Sequence, residues 1–254
     1  MKETIAEKLL TIEKTEQVKI LYAAESGSRA WGFSSPDSDY DVRFLYVRPL
    51  SFYLKLEKTR DVIEWQLDDV FDINGWDIQK ALRLLHSSNP TLFEWAQSPI
   101  VYHITPEWKL VRHEMAQFFQ PKAGLYHYLN TARRTYQDHI CQEQVSLKKY
   151  FYALRPILSA KWILERHTPP PIVFSELMDA ELDPSLRTCM EQLLEQKKHA
   201  PETWKGPGIT ELNLYVEQEL TELRQKADAL PSEPPHSWRD LDRLFLNLIE
   251  ASET

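Results

Sequence analysis

Two aspartates head an apolar run, Ser38-Asp39-Tyr40-Asp41-Val42-Arg43-Phe44-Leu45-Tyr46-Val47, and this stretch constrains the fold more than any other. The run reads as a strand over 39–47, closed before Pro49. Side chains at i and i+2 of a strand share a face, so Asp39 and Asp41 are expected to aim at one point, with Arg43 next in the row. Like charges held that close repel unless a cation lies between them. Just upstream stands Gly27-Ser28-Arg29-Ala30-Trp31-Gly32, a turn that offers free backbone N–H groups and a hydroxyl at the start of a short helix. A phosphate-binding turn opposite paired carboxylates points to magnesium and nucleotidyl transfer. The plain alternative, a tight strand-to-helix turn at Gly27, uses the same glycine.

Glycine is scarce, 6 in 254 residues, and Gly27, Gly32 and Gly75 all fall in the first third of the chain. Rival motifs fail at specific positions. Gly27 and Gly32 have Walker A spacing, but Phe33 stands where the lysine belongs. Asp37, Asp39 and Asp41 imitate an EF-hand, yet Val42 replaces its glycine and Arg48 its closing glutamate. His113-Glu114 opens a zincin-like motif in which Gln117 occupies the second histidine position.

A two-metal site needs a third carboxylate. Asp72, in Val70-Phe71-Asp72-Ile73, is the favoured candidate, because a carboxylate between apolar neighbours is costly to bury unpaired. Asp68 and Asp69 are alternatives, and Asp72 could instead cap a following helix.

Around this motif the first part reads as α/β. Ile5, Leu9 and Ile12 give a helix over 4–16, Val18 to Ala24 a buried strand, and Val62 to Leu67 a third strand that runs on or pairs back through Val70–Ile73. Asn74 is the expected N-cap of the next helix, with Asp77 at its positive end, and Asn89-Pro90 suits the start of another. From about 106 onward the pattern is helical: roughly 106–118, 122–140, 145–166, 174–179, 184–198, 209–229 and 237–250. The fold class expected is α+β, a small mixed-sheet domain over 1–105 followed by an all-helical domain over 106–254. Lys148, Tyr152 and Arg155 share one helix face, and Lys148 with Lys149 could meet phosphate while Tyr152 stacks on a base; the alternative is a solvated face over a core of Phe151, Leu154 and Leu158.

The bulk numbers narrow the class. A net charge of −8 argues against a coat for indiscriminate nucleic-acid binding while leaving room for a local basic groove. Two cysteines without a CxxC pair indicate neither a disulfide framework nor a thiolate zinc site. With no signal-like or membrane-length apolar run, a cytoplasmic, membrane-free protein is expected.

Taken together, Gly27-Ser28-Arg29-Ala30-x-Gly32 and Ser38-Asp39-x-Asp41 resemble the signature of the DNA polymerase β-type nucleotidyltransferases. The longer pattern, Glu25 to Gly32, Asp37 to Arg43 and Asp72-Ile73-x-Gly75-Trp76-Asp77, is similar to the YcgL type, in a branch that includes companions of RNA ligases. The resemblance implies a polymerase β-like catalytic domain. It places the triphosphate at Gly27 and Ser28; Arg29 and Arg43, beside these motifs, are read as further nucleotide contacts. It also places two Mg²⁺ ions at Asp39, Asp41 and Asp72, the last as a candidate general base. It further implies a nucleoside triphosphate donor, ATP foremost, and an acceptor hydroxyl that an RNA end could supply. A protein or small-molecule acceptor, or a module that binds nucleotide without consuming it, are the alternatives. Oligomeric state is not legible.

Overall fold

The computed structural model describes residues 1–199 and 204–253. The chain forms two units: Met1–Ala30, Asp39–Phe118 and the stretch from Pro235 onward make the first, and Trp31–Ser38 with Phe119–Pro234 make the second.

The first unit opens with α1 (Lys2–Glu16), β1 (Lys19–Glu25) and α2 (Gly27–Trp31). After the excursion through 31–38 come β2 (Tyr40–Val47), the short α3 (Leu50–Tyr53), β3 (Val62–Leu67), β4 (Phe71–Asp77), α4 (Ile78–His86), α5 (Pro90–Ala96), β5 (Val101–Ile104) and α6 (Pro106–Met115). The sheet order is β3-β4-β2-β1-β5. All neighbours are antiparallel except β2 and β4, which run parallel. Ile5, Leu9 and Ile12 of α1 are buried in one core with Val42, Phe44 and Tyr46 of β2 and Ile73 of β4. Strand alternation therefore sends Asp41, Arg43 and Asp72 to the opposite face.

The pairing back of residues 70–73 on β3 is confirmed, as an antiparallel hairpin with β4. The N-cap reading is corrected. Asn74 lies inside β4 opposite Arg43, and Asp77 caps α4 by accepting the Gln79 N–H at 2.8 Å. The strand continues that far because Gly75 lets the Phe44 ring of β2 lie where a side chain would stand: a Cβ on Gly75 would come 2.1 Å from that ring. Asn89 caps α5 as read, accepting the Thr91 N–H at 3.0 Å ahead of Pro90.

The second unit contains α7 (Pro121–Thr135), which runs into a π-turn over Tyr136–Ile140. It continues through β6 (Gln144–Ser146), α8 (Leu147–Arg166), α9 (Phe174–Glu181), α10 (Arg187–His199), β7 (Lys205–Pro207) and α11 (Thr210–Ala229). β6 and β7 form a separate antiparallel pair. The chain ends in α12 (Arg239–Glu253), part of the first unit.

These units differ from a division at 105/106 for reasons visible in the packing. Trp108 of α6 stacks on Tyr22 of β1, centroids 4.3 Å apart, and Leu241, Leu244 and Leu248 bury α12 within the first unit. Conversely Phe33 packs against Phe151 and Phe174, at 5.0 and 5.5 Å, and draws Trp31–Ser38 in among the helices. Among the described residues no helix is long and apolar enough to cross a membrane.

Candidate active site

β1 ends at Glu25, a buried carboxylate whose Oε1 accepts the Asp41 N–H at 2.8 Å and whose other oxygen accepts the Tyr102 hydroxyl. Burial pushes the Glu25 carboxyl up, opposed by those two donors. The Ser26 N–H donates to the Asp41 carbonyl at 2.7 Å, so the turn after β1 is tied to the first residues of β2. Gly27 then adopts φ +63°, and a Cβ there would stand 2.0 Å from Asp41 Oδ2. Only glycine accommodates both the left-handed backbone and this approach. Ser28, buried, comes next in α2.

The parallel register of β2 and β4 sets Asp41 directly opposite Asp72. Arg43 bridges them: its Nη2 donates to Asp41 Oδ1 at 3.0 Å and to Asp72 Oδ2 at 2.5 Å, while Nη1 donates to the Asp72 carbonyl at 2.7 Å. The three side chains are 17%, 22% and 28% exposed for Arg43, Asp41 and Asp72. All three are therefore partly exposed.

Asp39 lies one residue ahead of β2. Its backbone carbonyl accepts Arg29 Nε at 2.9 Å, and the Arg29 guanidinium sits 4.0 Å from the centre of the Tyr40 ring. Among the described residues no three His, Cys, Asp or Glu side chains are gathered as a metal cluster. The assembled element is the pair Asp41–Asp72 with Arg43 between them.

Lys148, Lys149 and Tyr152 belong to the second unit. Tyr152 meets the edge of Trp31 at 5.3 Å, and Lys149 stands 5.7 Å from the Tyr152 ring. Arg155, on the same helix face, is buried; its guanidinium lies 4.4 Å from the Trp31 ring and its Nε donates to the Ile172 carbonyl. Phe151, Leu154 and Leu158 are core residues. The residue whose part the sequence did not disclose is Glu25. Its signal was a carboxylate closing the apolar run Val18–Ala24, where an acid is buried only if it has donors to satisfy.

A Gly-Ser turn seated on a Ser-Asp-x-Asp strand, with a further carboxylate on the adjoining parallel strand, marks the polymerase β class of nucleotidyltransferases. Within it, this chain belongs to the RNA repair pathway DNA polymerase beta family (RlaP), whose model matches residues 1–247. It is 44% identical over 253 residues to the uncharacterized protein YcgL of Bacillus subtilis (strain 168), covering 98% of this chain and 97% of that one. A solved nucleotidyltransferase-like protein from Exiguobacterium sibiricum 255-15 aligns over 98% of this chain and 81% of its own, at 13% identity and a TM-score of 0.32.

Proposed function

We propose that this chain is a cytoplasmic, Mg²⁺-dependent nucleotidyltransferase that moves a nucleoside monophosphate from a nucleoside triphosphate, ATP foremost, to the hydroxyl of an RNA end. The observation that carries the reading is the register: β2 and β4 bring Asp41 and Asp72 face to face, and Gly27 rests on Asp41 with no room for a side chain.

The donor set fits a divalent cation. Two partly exposed carboxylates already share one positive group, the Arg43 guanidinium, and Asp39 stands two residues before Asp41, just ahead of β2. Asp41, Asp72 and Asp39 would hold Mg²⁺, which supplies neutralisation of the transferring phosphate's charge and a lowered pKa for the attacking hydroxyl. Gly27 and Ser28 present backbone N–H groups and a hydroxyl to the triphosphate. Glu25 and Arg29 position the turn and Asp39 through the Asp41 N–H and the Asp39 carbonyl. Arg43 balances the paired carboxylates and is a candidate contact for a triphosphate oxygen. Asp72 is the candidate general base for the acceptor proton, as the resemblance implies. Such a site works by positioning and charge neutralisation.

The test is incubation with α-labelled nucleoside triphosphates, Mg²⁺ and a panel of oligoribonucleotides, reading labelled RNA and released pyrophosphate. Asp41→Asn and Asp72→Asn should each abolish both signals while circular dichroism stays unchanged. Transfer retained by either variant would reject the assignment. Nucleotide binding without pyrophosphate release would favour a module that does not consume its ligand.

A further inference from the structure

A cavity of about 630 Å³ opens in the second unit, where the β6–β7 pair meets the start of α8. Lys148, Lys149, Lys205 and Ser146 line it, with Asp138 as the one carboxylate among its described lining residues. Register places Ser146 of β6 directly opposite Lys205 of β7.

The charge arrangement runs against what helix stability favours. Lys148 and Lys149 occupy the first turn of a 20-residue helix, where free N–H groups and the dipole already make the field positive, and no acidic residue stands in that turn. Ser146, at the N-cap, makes no capping bond, and its buried Oγ has no hydrogen-bond partner among the described residues. Burial and then the neighbouring Lys148 ammonium push the Lys149 pKa down, with Asp138 acting against them. An anion relieves each of these tensions at once.

One residue before Lys205 in sequence, ahead of β7, stands an aromatic side chain. Trp204 is 38% exposed, and its indole lies over Gly206, where a Cβ would come 2.4 Å from the ring. A single strand uses both kinds of group, cations for its phosphates and an exposed ring for a base, and strand alternation sets Trp204 on the face of β7 opposite Lys205, so a bound strand would cross the β7 edge to use both.

We propose that this cavity binds the phosphate backbone of a single-stranded RNA, with Lys149 and Lys205 on successive phosphates and Trp204 stacking on a base. The proposal rests on the polynucleotide-acceptor reading above and names where the acceptor strand is held.

The test is fluorescence anisotropy of a labelled short oligouridylate with the full chain, in EDTA and without nucleotide, across a salt series. A Lys149→Gln/Lys205→Gln variant should bind at least about tenfold more weakly, and the slope of log K against log salt should shrink by about 1.4, the single-strand value for two phosphates. Trp204→Ala should weaken binding by about fivefold or more at every salt concentration. A Lys149→Arg/Lys205→Arg variant should keep wild-type affinity, so with Trp204→Ala it decides the matter even if the glutamine pair misfolds. Wild-type RNA affinity and salt slope in the glutamine pair would overturn the proposal. So would unchanged RNA binding with weakened binding of ATP and inorganic triphosphate, which would give the cavity to the donor instead. Asp41→Asn should bind the oligonucleotide like the wild type. A protein that loses RNA through the lysine variants yet never transfers a nucleotide would refute the transferase reading and leave this site standing.

Discussion

Removing Arg43 is the most revealing perturbation of the candidate centre. Its guanidinium lies 3.0 Å from one carboxylate and 2.5 Å from the other, with all three side chains under a third exposed. Two unit charges 4 Å apart attract by about 4 kcal/mol at an effective dielectric of 20, and desolvation offsets part of that. Surface pairs contribute up to about 1 kcal/mol, and breaking a buried one costs about 3–5 kcal/mol. The partial burial here puts Arg43→Met between them, at about 2–3 kcal/mol. For a unit of this size that lowers the melting temperature by about 5–10 °C. Added Mg²⁺ sharpens the expectation. In the wild type a divalent cation competes with a guanidinium already bound to both carboxylates, whereas in the variant it meets two uncompensated ones. A ligand that binds only the folded state raises stability with its concentration over Kd. Scanning fluorimetry in EDTA and across a Mg²⁺ series should therefore show a larger Mg²⁺-induced rise for Arg43→Met than for the wild type, closing part of the gap. Equal melting in EDTA, or equal rises for both proteins, would refute the idea that Arg43 and a metal share Asp41 and Asp72.

Gly27→Ala should cut transfer about a hundredfold, since its Cβ would stand 2.0 Å from Asp41 Oδ2 and must displace the carboxylate. Gly32→Ala is the control: at φ +85° it meets similar backbone strain, but only Val173 lies nearby, at 3.7 Å, so stability should fall without a comparable loss of rate. Asp77 is buried beneath the Tyr53 hydroxyl, and burial raises its pKa from 3.8 to about 6. Its folded form holds the proton that the unfolded chain has released, so this contribution is present below pH 4 and lost as pH rises to 6, by about 3 kcal/mol at most. Asp77→Asn, which retains an acceptor for the Gln79 N–H, should flatten urea-denaturation stability across that window, and an unchanged slope would contradict the assignment. Lys197, 3% exposed, donates to Ser35 Oγ at 2.8 Å, so a double-mutant cycle of Lys197→Met with Ser35→Ala should give a coupling of about 1 kcal/mol; additive effects would deny the contact any energetic role.

What the sequence disclosed was local. The apolar runs that became β1 and β2, the short helix after Gly27, the hairpin return at Phe71 and the Asn89-Pro90 cap each depend on residues a few positions apart. Four-residue β5 and three-residue β6 and β7 carry too little period to be read that way. The path of Trp31–Ser38 was also hidden, although Phe33 was its signal: a lone phenylalanine among serines has to find a core, and it found the one made by Phe151 and Phe174. Asn74 was misread because a good capping residue four positions before a helix is indistinguishable, in sequence, from a strand residue before an equally good cap at Asp77.

The candidate site depends on a long-range fact of a different kind. Asp41 and Asp72 are 31 positions apart in sequence by their numbers, and they meet only because β2 and β4 pair in one particular parallel register. A slip of one residue would turn Asp72 to the α1 side of the sheet and leave Arg43 one carboxylate short. Apolar alternation alone excludes odd slips, but even slips would keep the pattern. The residue that excludes those is Gly75, since the Phe44 ring occupies the place of its side chain and no neighbouring β4 residue could sit there. A glycine that packs against an aromatic ring thus decides, three residues upstream, which carboxylate faces Asp41.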